Sequence, residues 1–236
     1  MKKIAIFVEG LTEELFAEKL LLELAGKQKL VIEKRVAYGG GANIPKRTVK
    51  VFQAARLAPE TRYFALIFNC KHDERVASDI RDRYQSLIQA GHTQIIGIRD
   101  VYPLDRSKIN TLRHQLALRI PTKPVSVAFI LGILETESWF IAEHTHFQNV
   151  HHNLNFPAVC TALGYDPSSY DIQLRDHPAL DLHSTYSQVG LTYHKNLTDI
   201  RRTVNALDYA EIFLTVANRF PDLQNLVNCL DSFLAA

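Results

Sequence analysis

Along the first 140 residues the spacing of apolar positions switches repeatedly between a short, nearly continuous run and a helical period. Residues 3–8 read as a buried strand, apolar without a break from Ile4 to Val8 and β-branched in part. Leu15, Phe16, Leu20 and Leu24 then recur at helical spacing until Gly26, with Thr12 as the expected N-cap and Leu11 and Phe16 as a hydrophobic staple. A second strand is expected over 30–36, running toward Gly39-Gly40-Gly41, and a helix from Pro45 to about Leu57, since proline favours a first helical turn. Residues 63–68 predict a third strand, and Val76, Ile80, Tyr84 and Leu87 a helix ending at Gly91. Residues 95–98 predict a fourth strand and Ile109, Leu112 and Leu116 a helix. A fifth strand over 125–134 leads into a helix carrying Trp139 and Phe140. Strand and helix alternating in this way predict an α/β fold, built from βα units on a mostly parallel, Rossmann-like sheet.

Near residue 149 the pattern changes. Residues 151–191 are rich in Asn, Asp, His, Ser and Pro and predict only short helical pieces, followed by helices over 198–218 and 221–234. The expected organisation is an α/β domain over 1–149 and a helical C-terminal appendage over 150–236.

Composition narrows the class without naming a chemistry. The chain has 236 residues, 47% hydrophobic and 22% charged, with a net charge of +2. That balance is ordinary for a packed domain and permits a local basic patch without requiring one. Three widely spaced cysteines, Cys70, Cys160 and Cys229, form no C-x-x-C pair and predict reduced thiols. The opening apolar run ends at Glu9, too early for a signal sequence, and no run approaches the ~20 residues of a membrane span. A cytoplasmic protein with no membrane partner is therefore expected.

The candidate chemistry lies where the predicted strands end, because ligands of open parallel sheets sit at the carboxyl ends of the strands. Four of the five strands deliver acids there: Glu9 after the first, Asp73 after the third, Asp100 after the fourth, and Glu135 and Glu137 after the fifth. Converging carboxylates repel one another, and a hard divalent cation relieves the repulsion. Capping of the following helix competes as an explanation for Asp73, and for Asp105 in the next loop; Glu135 or Glu137 also suits a helix N-terminus. Glu9 is harder to explain structurally, since a carboxylate ending a buried strand is costly without a partner.

The run Ile4-Ala5-Ile6-Phe7-Val8-Glu9-Gly10-Leu11-Thr12-Glu13 resembles the first motif of Toprim domains, and its Glu-Gly-x-Thr-Glu form is similar to OLD-family nucleases and small bacterial Toprim-like proteins. Glu135-Thr136-Glu137-Ser138-Trp139 resembles a later Glu-x-Glu-x-Trp motif of the small relatives, and Asp100-Val101-Tyr102 their Asp-x-Tyr. The resemblance covers about residues 1–145. It implies that Glu9 is a general acid/base or metal ligand and that an Asp-x-Asp pair holds Mg²⁺, with Mn²⁺ as substitute. Here Asn69 and Lys71 stand where the two aspartates are expected, so Asp73, Asp100, Glu135 and Glu137 become the remaining candidate ligands beside Glu9.

Basic residues supply the anion side of the expectation. Lys71 and Arg99 would steady phosphate charge, and Gly10, Thr12, Lys46 and Arg106 are the expected substrate contacts. Pro45 occupies the position before Lys46 where a P-loop needs glycine, so no Walker motif exists. The histidines match no zinc pattern; His144-x-His146 and His151-His152 are expected to be solvated or capping.

The leading expectation is a Mg²⁺-dependent, Toprim-like nuclease or phosphoryl-transfer enzyme on DNA or RNA, which the resemblance places in phage defence or DNA maintenance. The alternative, prompted by Asn69 and Lys71, is a catalytically degenerate module that binds nucleic acid, a nucleotide, a protein partner or a second copy of itself without turnover. A phosphatase acting on small molecules ranks third.

Overall fold

The computed structural model describes residues 1–26, 28–39, 46–72 and 74–235. The fold is α/β with a mostly parallel sheet, as the periodicity predicts. The chain divides into two compact units: Met1–Arg99, Asn110–Ile130 and Asn228–Ala236 form the first, and Asp100–Ile109 with Leu131–Val227 the second.

In the first unit β1 (Lys2–Val8) is followed by α1 (Leu11–Ala25), β2 (Leu30–Tyr38), β3 (Thr48–Gln53), β4 (Tyr63–Asn69) and α2 (Arg75–Gln89). β5 (Gln94–Asp100) ends on the first residue of the second unit; α3 (Ile109–Ala117) follows, its first residue also in that unit, then β6 (Val127–Gly132), whose last two residues belong to it as well. The six strands run in the order β3-β2-β4-β1-β5-β6. β1 pairs in parallel with β4 and β5, and β2 in parallel with β4, the arrangement that crossover helices impose. Ala5 and Phe7 of β1 and Leu66 and Phe68 of β4 pack with Val76, Ile80, Tyr84 and Leu87 of α2, so one sheet face is sealed by that helix. Strand alternation turns Ile4, Ile6 and Val8, all fully buried, to the opposite face.

Two local expectations are corrected. The helix expected from Pro45 to Leu57 is instead β3, antiparallel to β2 with a bulge at Lys34/Arg35. The alternation of Val49, Val51 and Gln53 with Thr48, Lys50 and Phe52 wins over the proline signal, because β2 offers that segment an unpaired edge; Pro45 itself lies outside the described residues. At the start of α1, Gly10 and not Thr12 is the N-cap: the Glu13 carboxylate accepts from the Gly10 amide at 2.8 Å. Leu11 is thereby inside the helix, and the staple with Phe16 does not form at the expected positions.

The second unit is helical: α4 (Glu137–Ala142), α5 (His146–Val150), α6 (Phe156–Leu163), α7 (Pro178–Ser187), α8 (Leu197–Ala206) and α9 (Tyr209–Leu214). α10 (Pro221–Leu234) begins in this unit and ends in the first. The helix expected over 198–218 is broken at Leu207, where Asp208 caps α9 through the amides of Ala210 and Glu211. Trp139, Phe140, Phe147 and Tyr186 fill its core, with α4 packed on α7 and α5 on α8.

Candidate functional site

The first unit places its charges around the start of α1. Glu9 is half-buried directly after β1, its amide donating to the Ile98 carbonyl at 3.2 Å. One turn into α1, Glu14 is buried and accepts from the Asn69 amide nitrogen at 2.7 Å. The Asn69 carbonyl oxygen accepts in turn from the Lys71 backbone amide at 2.9 Å. Asn69 is thus a connector between α1 and the end of β4, which an aspartate would not be, having no N–H to offer Glu14. Lys34 projects from β2 to Glu18 at 2.8 Å, with Glu14 at 3.8 Å.

Several expected site residues of this unit do not present themselves to solvent. Thr12 is buried within α1 and Arg99 is buried in β5. Lys46 and Lys71 are exposed. Arg47, beside Lys46, turns inward: it donates to the Gly39 carbonyl, the Cys70 carbonyl and Asp79, which Arg83 also meets at 2.8 Å. Burial, with Asp79 beside it, pushes the Cys70 thiol far up, so that sulfur stays protonated. Asp73 lies outside the described residues, as do Gly40 and Gly41.

The second unit holds a denser centre. Asp100 is buried, and its Oδ1 accepts from both the amide and the hydroxyl of Thr136, at 2.8 and 2.7 Å. Gly132 makes room for this: a Cβ there would lie 2.4 Å from Asp100 Oδ1 and 2.9 Å from the Thr136 nitrogen. Glu137, 0% exposed in the first turn of α4, accepts from the Tyr193 hydroxyl at 2.8 Å. Glu135 accepts from the Ala179 amide, at the start of α7. The Lys195 ammonium lies 2.9 Å from Glu135 and 3.1 Å from Glu137. Burial opposes its charge, but the carboxylates of Glu137, Asp100 and Glu135 outweigh burial and hold it well above the ordinary lysine range.

The loop carrying Tyr193 and Lys195 is pinned by Asp199, which accepts from the His194 amide and the Asn196 side chain, and by His183, which accepts from the Tyr193 amide. Arg106, an expected substrate contact, is committed to Asp176 at 2.7 Å and to the Gln173 carbonyl. Asp105 does cap its 3-10 turn, accepting from the Ser107 amide. His146 is fully buried and not solvated as expected: its ring nitrogens meet the Glu143 carbonyl and the Tyr186 hydroxyl.

The fit of a divalent ion follows from these partners. Glu135 and Glu137 already face an ammonium, which supplies the counter-charge that the cation would supply, and Asp100 Oδ1 is taken up by Thr136. In the first unit Lys34 plays the same part for Glu14 and Glu18. Among the described residues no group of three or more His, Cys, Asp or Glu is arranged around a common point suited to a metal. As arranged, Glu135 and Glu137 are paired with Lys195, and Asp100 Oδ1 with Thr136.

The charged centres also carry backbone strain. Lys71, Leu134 and Lys195 all hold left-handed backbone, at φ 64°, 60° and 53°. Non-glycine residues resist that region, and such strain gathers at functional sites. Sequence reasoning placed Glu135, Glu137 and Asp100 but missed Lys34, Glu14 and Thr136, and gave Lys195 no carboxylate partner. Lys34 had a signal: it occupies an inward position between Ile32 and Val36, where a lysine needs an acid. Gly132 had one too, as a glycine inside an apolar strand.

No helix among the described residues is long and apolar enough to cross a membrane. No protein-family model, curated protein or solved structure matches this chain.

Proposed function

We propose that this chain is a Toprim-like module that binds nucleic acid without metal-dependent turnover. The observation that carries the reading is Lys195 seated between Glu135 and Glu137: an internal ammonium neutralises two of the strand-end acids that were candidate metal ligands. Asn69 points the same way, because its amide is used to join Glu14 to the Lys71 turn and not to hold a cation. Exposed Lys46 and Lys71 of the first unit supply charge for the phosphodiester backbone, which is read without base specificity.

The test is fluorescence anisotropy with labelled single- and double-stranded DNA and RNA, in EDTA and in Mg²⁺, with cleavage followed on gels. Binding should persist in EDTA, weaken with salt, and weaken further in Lys71→Ala, with the salt slope reduced by about one for each phosphate contact removed. Absence of binding to all four polymers would overturn the reading.

The Mg²⁺-dependent nuclease remains as a second reading, favoured by one observation, the left-handed backbone at Leu134 and Lys195 on either side of the carboxylates in sequence. Cleavage that requires Mg²⁺ or Mn²⁺ and is lost in Glu9→Gln would establish it in place of the first. Phage defence or DNA maintenance is the setting proposed for either activity, by resemblance alone.

A further inference from the structure

β3 is the last strand of its sheet, hydrogen-bonded to β2 on one side, with no strand on its other side among the described residues. All six of its residues are exposed, so neither face is covered. Val51 is 55% exposed and Phe52 71%; Tyr38 and Leu57 add further open apolar surface in the flanking segments. Phe52 alone offers on the order of 100 Å². A patch of this kind on a strand edge is one that monomers ordinarily blunt with charge or cover.

We propose that the β3 edge pairs with the β3 edge of a second copy, antiparallel, to form one continuous sheet across a homodimer. The edge is complementary to itself in one register, because a lysine and an aromatic ring, Lys50 and Phe52, lie two residues apart on one side of the strand. A two-fold axis normal to the sheet opposes residues that face the same side, so the axis must pass through a residue position and not between two. Centred on Lys50, the sole charge in Thr48–Gln53, the pairing would oppose two ammoniums. Centred on Val51, it opposes Val51 with Val51 of the second copy and sets each Lys50 against Phe52 of the other. Lysine over an aromatic ring is already how this edge is arranged: Lys50 lies 5.4 Å from the Tyr38 ring centroid and Lys34 5.8 Å from that of Phe52. In this register the lysine that guards the edge against other partners becomes a contact for its own copy.

The test is sedimentation of the full chain from about 1 to about 100 µM, which brackets micromolar dissociation constants. A monomer–dimer equilibrium should be seen, weakened at least about tenfold in Val51→Lys, which opposes two lysines at the axis. It should be unchanged in Leu214→Lys, an exposed position in the other unit. Val51→Cys should form a disulfide-linked dimer under mild oxidation faster than Val49→Cys or the parent chain, and this readout stands even if Val51→Lys folds poorly. A monomer throughout the range, a dimer indifferent to Val51→Lys, or equal crosslinking of the two cysteine variants would each overturn the proposal.

Discussion

The two units neutralise their buried acids with the same chemistry by different routes. In the first, Lys34 comes from β2 and meets Glu14 and Glu18 on α1, so donor and acceptors are fixed by adjacent regular elements. In the second, Lys195 comes from a loop some 60 residues beyond Glu135, held in left-handed backbone by Asp199 and His183. A charge pair built on a strand and its neighbouring helix comes at little extra ordering. One built on a loop must fix that loop's backbone, and the second unit spends several hydrogen bonds doing so. The difference suggests that the first pair belongs to the sheet's architecture and the second to a site.

The comparison can be broken most sharply at the two lysines. Lys195→Met leaves Glu137 buried without its ammonium and is expected to cost about 3 kcal/mol in urea denaturation, the low end for a broken buried pair because Lys195 is 38% exposed. Lys34→Met should cost less, since Asn69 still donates to Glu14 and methionine suits the apolar series around it. Equal losses would erase the distinction drawn between the units.

Next in size, Gly132→Ala drives a methyl group into Asp100 and Thr136 and should cost about 2 kcal/mol, with the loss confined to the second unit's hydrogen-exchange protection. Asn69→Asp, which restores the aspartate of the resemblance, sets a carboxylate against Glu14 and should cost roughly 1–2 kcal/mol near pH 7. The new acid's pKa is raised in the folded state, so stability should recover as pH falls toward 4. A variant as stable as the parent at pH 7 would show that this centre accepts a second acid.

The smallest net effect in the parent chain conceals a pair of opposed pH slopes within the second unit. Burial raises Glu143 to about 7 and lowers His146 to about 4. Glu143 takes up a proton on folding, so its contribution is fully present below pH 4.5 and lost as pH rises through 7. His146 releases one, so its contribution is present above pH 6.5 and lost as pH falls toward 4. In the parent chain the two offset each other. His146→Gln should leave stability falling with rising pH between 4.5 and 7, and Glu143→Gln should leave it falling with acidification below 6.5, both measured by thermal denaturation across pH.

Local pattern carried the strands β1, β4 and β5 and the helix α2 because each buries a face whose period is written in consecutive residues. It also located Asp100, Glu135 and Glu137, since chain order alone puts them at strand ends. It failed at Thr48–Gln53, where a helix signal at Pro45 lost to an available sheet edge, and at Leu207, where the Asp208 cap divides an apparently continuous helix. These are competitions between local preference and a partner elsewhere, which no window of sequence contains.

The sequence by itself determined that the chain is α/β, which residues form its inward faces, and which strand ends bear acids. Only the tertiary structure decided what those acids face. Neutralising a buried charge depends on a counter-charge within a few ångströms, and that distance is set by packing rather than by separation along the chain. Lys195, 58 residues from Glu137 in sequence and 3.1 Å from it in space, is the clearest instance.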